Sequence, residues 1–597
     1  MITRSHIPSV GRTHSEQTRW LDRSVGSRAD QVAVAPRDEL EVALSDLYAH
    51  QTRWLFASPR DRIELVERCI KSVAESARAW VDVACEIKHI PADSQCRAEE
   101  VLTGPVLTMR YLRLMLRNLN ALDRSQPNPL PGRLARTTDG RWRVPVMPVV
   151  RDLFDPFCFL NFQGHVRLLS GLTEEEALAA TEPISQRLPT TSLILGAGNV
   201  TGIVAADLLG KVFQEHHVAL LKMHPLTDPL RPVIEQAFAP LLEAGCVRVV
   251  SGDAAVGARA TQHDLVDAVH ITGSVAAHEA IIWGADPAER ERRKRADEPL
   301  LDKPITSELG NVSPWIIVPG HYSSLQLQAQ VENVAASITN NAGFNCVATR
   351  AIITCKHWPQ REEFLSRLQA ILSKLPRRAA YYPGALERFE RFTGCPFNGE
   401  GSDGGAVPQL PWTLFRDVNP AESPLLCREE SFVPVCAEMP LDADDEFDFI
   451  GRATDFANEG LWGTLCATLT VPAPFRNSQR GYAAINAAID RLRYGTVWLN
   501  QWPGIAFTLL SLPWGGHPSS TLRDPQSGLG FVHNTFGLRA IEKTVLEGPL
   551  MVVPKPIWTP GHRHAEPIAW NLFNLYHQPN LRHVAELSYS ALVSLFK

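Results

Sequence analysis

A chain of 597 residues is longer than one simple core supports, so two or three domains are expected. Its 45% hydrophobic and 21% charged content is globular, and a net charge of -6 gives no basis for nucleic acid or an anionic membrane surface as the main partner. No apolar run approaches a membrane span, no segment near the start reads as a secretory signal, and eleven cysteines without CxxC pairs fit free thiols in a reducing cytoplasm.

Residues 1–35 are polar and read as a loose tail. Beyond Arg37, Leu40, Leu44 and Leu47, then Ile63, Val66, Ile70 and Val73, recur at helical spacing, which predicts helices to about Leu122. A Pro/Gly-rich break follows at 127–132. Residues 141–146 and 157–160 are β-rich and punctuated by prolines, so 141–170 read as an extended arm. Thr173 ahead of Glu174, Glu175 and Glu176 predicts a capped short helix over 173–180.

Strands are then expected at 191–195, 218–221, 247–251 and 268–271, with helices over 200–213 and 229–245 and another from 257. This alternation predicts a parallel, doubly wound sheet. Residues 285–299 carry Arg290, Arg292, Arg293, Lys294 and Arg295 among acids and read as a solvated helix or loop. Strands at 315–318, 351–354, 431–435, 463–469 and 496–499, with helices over 326–342 and 361–375, predict a second α/β domain. Residues 400–406 read as a Gly-rich surface loop, and the amphipathic run 568–595 as one or more docking helices.

Two short stretches hold a reactive pair. Glu308-Leu309-Gly310-Asn311-Val312-Ser313-Pro314 sets a carboxylate before a glycine turn. Asn340-Asn341-Ala342-Gly343-Phe344-Asn345-Cys346 ends a polar loop in a thiol. A thiol and a carboxylate are what is needed to form a thioester and then hydrolyse it. Gly196-Ala197-Gly198-Asn199-Val200-Thr201-Gly202, between strand and helix, reads either as a phosphate-cradling loop or as a structural turn. His562, His564, His216 and His217 have no third ligand at a metal spacing and read as surface or packing residues, so no metal is expected.

These motifs, in this order, resemble the aldehyde dehydrogenase superfamily over roughly residues 40–545. Asn199 and Lys222 stand in the family's register. Ile271-Thr272-Gly273-Ser274 is similar to its Phe-Thr-Gly-Ser turn, and 308–314 to its Glu-Leu-Gly-Gly-Lys-Ser-Pro. Glu429-Glu430-Ser431-Phe432-Val433-Pro434-Val435 is similar to its Glu-Glu-x-Phe-Gly-Pro-Val. Leu512-Pro513-Trp514-Gly515-Gly516 with Ser527-Gly528 is similar to its Pro-Phe-Gly-Gly … Ser-Gly segment.

The resemblance implies Cys346 as nucleophile, Glu308 as the base for deacylation, and Asn199 with the Cys346 N–H as oxyanion hole. It implies Lys222, Gly273, Ser274, Glu430 and Phe432 as contacts to NAD or NADP. Pro225 stands where the family usually has the glutamate that favours NAD, which leaves both cofactors open.

The implied fold is α/β, with a Rossmann-type cofactor domain, an α/β catalytic domain and a β oligomerisation arm. The expected division is tail 1–35, N-terminal helices of the cofactor domain 36–140, arm 141–170, dinucleotide domain 171–308, catalytic domain 309–530, and C-terminal arm with helical tail 531–597. The expected activity is oxidation of an apolar aldehyde to an acid by a cytoplasmic homodimer or homotetramer without a membrane span. Phe344, Trp498, Trp502 and Phe507 are expected near the substrate funnel. The alternatives are a reductase of acyl-CoA or other acyl thioesters, and a non-catalytic nucleotide-binding homologue.

Overall fold

The computed structural model describes residues 38–126, 130–137, 139–150, 153–178, 187–399 and 407–595. The tail at 1–35, part of the break at 127–132 and the loop at 400–406 therefore lie outside the described residues. The apolar stripes of the N-terminal segment become the helices Glu39–Leu55, Pro59–Ile87 and Leu107–Asp123. Asp38 caps the first, and a Ser58–Asp61 capping box with Pro59 starts the second, so orphan N–H groups find side-chain acceptors. The first helix packs on the Val218–Lys222 and Val247–Val250 strands. The second buries Val66, Ile70, Val73 and Trp80.

The αβ alternation forms a five-stranded parallel sheet in the order Val247–Val250, Val218–Lys222, Thr191–Leu195, Ala268–Thr272, Ile305–Glu308. Strand order reverses direction at Thr191–Leu195, so a crevice opens beyond the carboxyl ends of that strand and Ala268–Thr272. Ligands bind at such a switch point in open α/β sheets. The helix expected over 229–245 is broken. A 3-10 turn at Pro225–Leu230 leads into Arg231–Ala237 and Ala239–Glu243, because Pro229, Pro232 and Pro240 each remove an N–H donor. The charged insert is the helix Pro287–Ala296, which buries none of its residues.

The second domain is built on a ten-stranded sheet. Its parallel part runs Ile541–Glu547, Thr496–Leu499, Cys466–Thr470, Ser313–Ile317, Thr349–Cys355, Val435–Leu441, Thr413–Phe415. The strands Gln163–Leu168, Trp142–Met147 and Ala135–Arg136 add antiparallel at the Ile541–Glu547 edge. The segment read as an arm thus extends this chain's own sheet. Its 157–160 portion is not a strand. Asp155–Cys158 makes a helical turn instead, because buried Asp155 accepts from Val149 N (2.9 Å) and from Arg110, and these tertiary bonds outweigh β-rich composition. The expected strand at 431–435 begins only at Val435.

The amphipathic run at the C-terminal end is two helices, Ala565–His577 and Leu581–Val593, folded against each other. Among the described residues no helix is long and apolar enough to cross a membrane.

Candidate active site

Glu308 is the last residue of the Ile305–Glu308 strand and is 2% exposed. Ser307 N and Leu309 N donate to Leu529 O (3.0 Å) and Ser527 O (2.9 Å), which fixes the strand end on both sides of the carboxylate. The thiol comes from another direction. The helix Ser324–Thr339 stops at Asn340, and the chain turns through Asn341 (φ 52°), Ala342 (φ 56°) and Gly343 (φ 82°).

Left-handed backbone at residues other than glycine costs on the order of 1–3 kcal/mol and persists only where surroundings enforce it. Here the Asn341 side chain donates to Asn199 O (3.0 Å) and Asn345 Oδ1 (3.1 Å), and Asn345 donates to Asn340 Oδ1 (3.0 Å). Buried Arg350 donates to Gly343 O (2.6 Å) and to Val433 O. The outcome is Cys346 Sγ 3.2 Å from Glu308 Oε1 across 38 residues of sequence.

Burial pushes the Glu308 carboxyl up to about 7, aided by Asp207 and Glu430; contact with Cys346 and the Trp514 indole offsets part of the rise. Neither Glu308 Oε2 nor Trp514 Nε1 closes a hydrogen bond among the described residues, so the indole faces the carboxyl without fully satisfying it. Burial, and then the two neighbouring glutamates, push the Cys346 thiol well above its usual range. At neutral pH the proton therefore rests on sulfur, beside a base whose affinity is poised near 7.

Asn199 follows the Thr191–Leu195 strand and is buried. Its Nδ2 donates one proton to Phe344 O (3.0 Å), two residues before the cysteine, and the second is left for another acceptor. The Cys346 N–H donates to no group among the described residues. The turn that carries Asn199 thus meets the cysteine loop, and each brings one unspent donor.

Lys222, Gly273 and Ser274 all lie at the carboxyl edge of the parallel sheet, around the switch-point crevice. Lys222 ends its strand, and burial lowers its affinity for a proton while Asp253 and Asp228 oppose this. Ser274 caps the helix Val275–Trp283, whose N-terminus opens on exposed backbone suited to phosphate. Glu430 reaches the same edge. Its Oε1 is buried without a partner, and its other oxygen lies against Gly310, where any Cβ would run into the carboxylate. An unsatisfied acceptor beside a backbone kept bare of side chain fits the ribose and ring of a nicotinamide dinucleotide. Phe432 packs on Phe344 (6.0 Å) and Tyr382 (5.0 Å).

Comparison with known proteins gives the arrangement a context. Residues 218–383 match the model of the aldehyde dehydrogenase family. Over that stretch the chain is similar to aldehyde dehydrogenases. A 2-hydroxymuconic semialdehyde dehydrogenase of Pseudomonas sp. (strain CF600) is 28% identical over 301 residues, which is 47% of this chain and 54% of that protein. A betaine aldehyde dehydrogenase of Brucella melitensis is 28% identical over 311 residues, 48% and 54% of the two chains. The chain thus spans about half the length of the curated relatives it matches. Among solved structures, the fold is that of an NAD-dependent aldehyde dehydrogenase from Sinorhizobium meliloti (TM-score 0.56, 17% identity, covering 85% of each chain). It is likewise that of a Mycobacterium tuberculosis aldehyde dehydrogenase complexed with NAD+ (TM-score 0.53, 19% identity, 87% of this chain and 91% of the other).

Asn311 stands where the motif that 308–314 resembles has a glycine, and it has a visible task. Its Nδ2 donates to Cys466 O (2.9 Å) and Ser313 Oγ (3.0 Å), and Ser313 Oγ donates to Cys346 O (3.2 Å). The glutamate strand is thereby tied to the cysteine loop.

The funnel residues divide. Trp502 donates to Val347 O (3.4 Å) and lines a cavity of about 760 Å³ together with Leu102, Val106, Ile505, Ile568 and Leu572. Phe344 instead joins Tyr381 (5.0 Å), Tyr382 and Phe432, Phe507 packs on Trp514 (5.8 Å), and Trp498 is buried within its strand. The loop turn at Phe344, the helix Gly504–Leu509 at Phe507 and the strand Thr496–Leu499 at Trp498 set these three apart from the cavity lining.

Sequence reasoning missed a buried polar cluster behind Glu308. It comprises Asp207, His270, Thr272 and His533, with Lys211 and Glu215 farther along. A signal existed, since Asp207 is the lone charge in the otherwise apolar helix Thr201–Leu209, and Asp207, Lys211 and Glu215 recur every four residues.

Proposed function

We propose that the protein oxidises an apolar, long-chain aldehyde to the carboxylic acid, with NAD or NADP as the two-electron acceptor. The observation that carries the reading is the 3.2 Å contact between a protonated thiol and a carboxyl poised near 7. As an aldehyde approaches, Glu308 takes the thiol proton and Cys346 Sγ forms a bond to the carbonyl carbon. The free Nδ2 proton of Asn199 and the Cys346 N–H receive the developing oxyanion, where losing one such donor costs about 10²–10³ in rate. A nicotinamide cofactor, when bound, supplies the electron acceptor that leaves a thioester on the cysteine. Lys222 and Ser274 would hold its ribose and phosphates, and Glu430 and Phe432 its nicotinamide half. Once Glu308 has given up the thiol proton it removes one from water, the water oxygen bonds to the acyl carbon, the carbon–sulfur bond breaks, Glu308 returns that proton to the Cys346 thiolate and the acid leaves.

The cavity supports an apolar tail. Most of its walls are hydrocarbon, and its size suits a ligand of alkyl-chain dimensions. The insert does not support CoA binding, because Arg292 and Arg293 pair with Glu289, and Lys294 and Arg290 with Glu279. The test is a panel of alkyl aldehydes with NAD and NADP, with and without CoA. Cofactor reduction independent of CoA is expected, and abolished in Cys346→Ser. Reduction that requires CoA, or that survives in Cys346→Ser, would overturn the reading.

A further inference from the structure

Each turnover of the proposed reaction releases one proton from the Cys346 thiol and one from the attacking water. Glu308 takes both; the second returns to the Cys346 thiolate when the carbon–sulfur bond breaks, but the first has to leave Glu308, which is sealed from solvent at 2% exposure, before it can activate water. A buried base that cannot discharge stalls at the thioester. The side of Glu308 away from the thiol shows a way out, legible in sheet register.

In the parallel pair of strands, Thr272 is the register partner of Glu308 and His270 that of Thr306, so all four side chains stand on one face of the sheet. The helix Thr201–Leu209 and the turn after it lie over that face. Thr272 Oγ1 donates to Asp207 Oδ2 (3.1 Å) and lies 3.3 Å from His270 Nε2. His270 Nε2 is also 3.3 Å from Asp207 Oδ2. On its other side His270 Nδ1 is 2.8 Å from Thr306 Oγ1. Lys211 Nζ donates to Thr306 Oγ1 (3.3 Å) and to Glu215 Oε1 (2.8 Å). The Glu215 side chain is 41% exposed, so the series ends in solvent.

We propose that Thr272, His270, Thr306, Lys211 and Glu215 conduct protons from Glu308 to solvent, with Asp207 as the positioning anion. The proposal rests on the thioester chemistry assigned to Cys346 and Glu308. In the tautomer carrying its proton on Nδ1, His270 Nε2 accepts the Thr272 hydroxyl proton as that hydroxyl turns from Asp207 and takes a proton from Glu308. Asp207 stabilises the imidazolium so formed. His270 Nδ1 gives its proton to Thr306 Oγ1, and Thr306 passes its own to Lys211 as that amine sheds one to water at Glu215. Every step is a proton hop, and nothing is oxidised or reduced.

Three observations argue against a purely structural cluster. Ionisable groups buried in an apolar helix are costly to hold, so their retention calls for a use. Glu308 Oε2 is buried without a hydrogen bond among the described residues, and His533 Nε2 stands 3.5 Å from Asp207 Oδ1, so polar groups line the space behind the base. The contacts run on from Thr272, the register partner of the sealed base, to Glu215, an acid that solvent partly reaches.

The titratable and charged groups facing it are Cys346 and Glu430 at Glu308, Tyr111 and His533 at Asp207, and His217 and Arg187 at Glu215. Burial alone would raise the Asp207 carboxyl, but His270 and His533 outweigh it and hold it ionised.

Thr306→Val removes one hydroxyl at nearly constant shape, and Thr306→Ser keeps it. An activated ester such as p-nitrophenyl acetate acylates Cys346 without any cofactor, so deacylation is read separately from aldehyde oxidation. Thr306→Val is expected to keep the initial nitrophenolate burst and to lose about 10²-fold in the following steady rate, the lower range for proton transfer. The rise in rate near pH 7 belongs to Glu308 and should remain in this variant. Added imidazole should restore the rate, Thr306→Ser should match the wild type, and thermal unfolding should confirm the fold. A Thr306→Val steady rate equal to wild type would overturn the proposal, as would a loss shared by Thr306→Ser or untouched by imidazole. Failure of the dehydrogenase reading shows separately, as wild-type ester turnover without cofactor reduction by any aldehyde.

Discussion

At the residue scale the account turns on one pair. The Cys346 thiol is pushed up and the Glu308 carboxyl rests near 7, so the proton between them moves only when substrate arrives. Deacylation needs the ionised carboxylate. The rate is therefore expected to rise with pH through about 7 and level off above it. Glu308→Gln should flatten that limb and lower steady turnover by about 10²–10⁴; a limb retained in Glu308→Gln would assign it elsewhere. The thiol, the carboxylate and Asn199 were legible because each sits in a turn whose composition is unusual. Thr272, His270 and Thr306 were not, because ordinary strand residues acquire meaning only from the register that sets them beside Glu308. Asp207 lay between the two cases, visible as a charge in an apolar helix but without a partner until the sheet was known.

At the element scale, the cysteine loop and the C-terminal hairpin are both held by buried arginines. Arg110 forms a bidentate pair with Asp155 (2.6 and 2.9 Å) and also donates to Leu509 O (2.7 Å) and Tyr576 OH (3.0 Å). One guanidinium thus joins the N-terminal helices, the turn at 155–158, the cavity wall and the first helix of the hairpin. Asp155→Asn leaves that cation uncompensated, and breaking a buried pair costs about 3–5 kcal/mol. Denaturant unfolding should show a loss of this order, and a loss under about 1 kcal/mol would mean that the pair is screened. The turn that carries Asp155 is also where composition misled. Phe157, Cys158, Phe159 and Leu160 read as a strand, yet Phe154 in the left-handed region (φ 54°) and the Asp155 bonds impose a helical turn. The strands from 191 to 272 were legible, since burial on both faces gives continuous apolar strands, whereas Ile305–Glu308, short and half polar, was not.

At the scale of the whole molecule, the hairpin 565–593 roofs a cavity that Trp502 joins to the cysteine loop through its bond to Val347 O. Its helices were legible as amphipathic, but what they cover was not, because the cavity draws on segments more than 400 residues apart, such as Leu102 and Ile568. A methylene buried there contributes about 0.8 kcal/mol, or roughly fourfold in rate. Across straight-chain aldehydes kcat/KM should climb by about that factor per carbon until the cavity is full. Deleting residues from 565 onward should remove the climb and leave short aldehydes unaffected, and a flat series in the intact protein would place the alkyl tail elsewhere.

The most direct measurement is intact and peptide mass spectrometry of the Glu308→Gln variant, quenched during reaction with an alkyl aldehyde and NAD or NADP. The account predicts a stable acyl adduct on Cys346, with the mass of the acid less water. An adduct on another cysteine, or none while the wild type turns over, would contradict it.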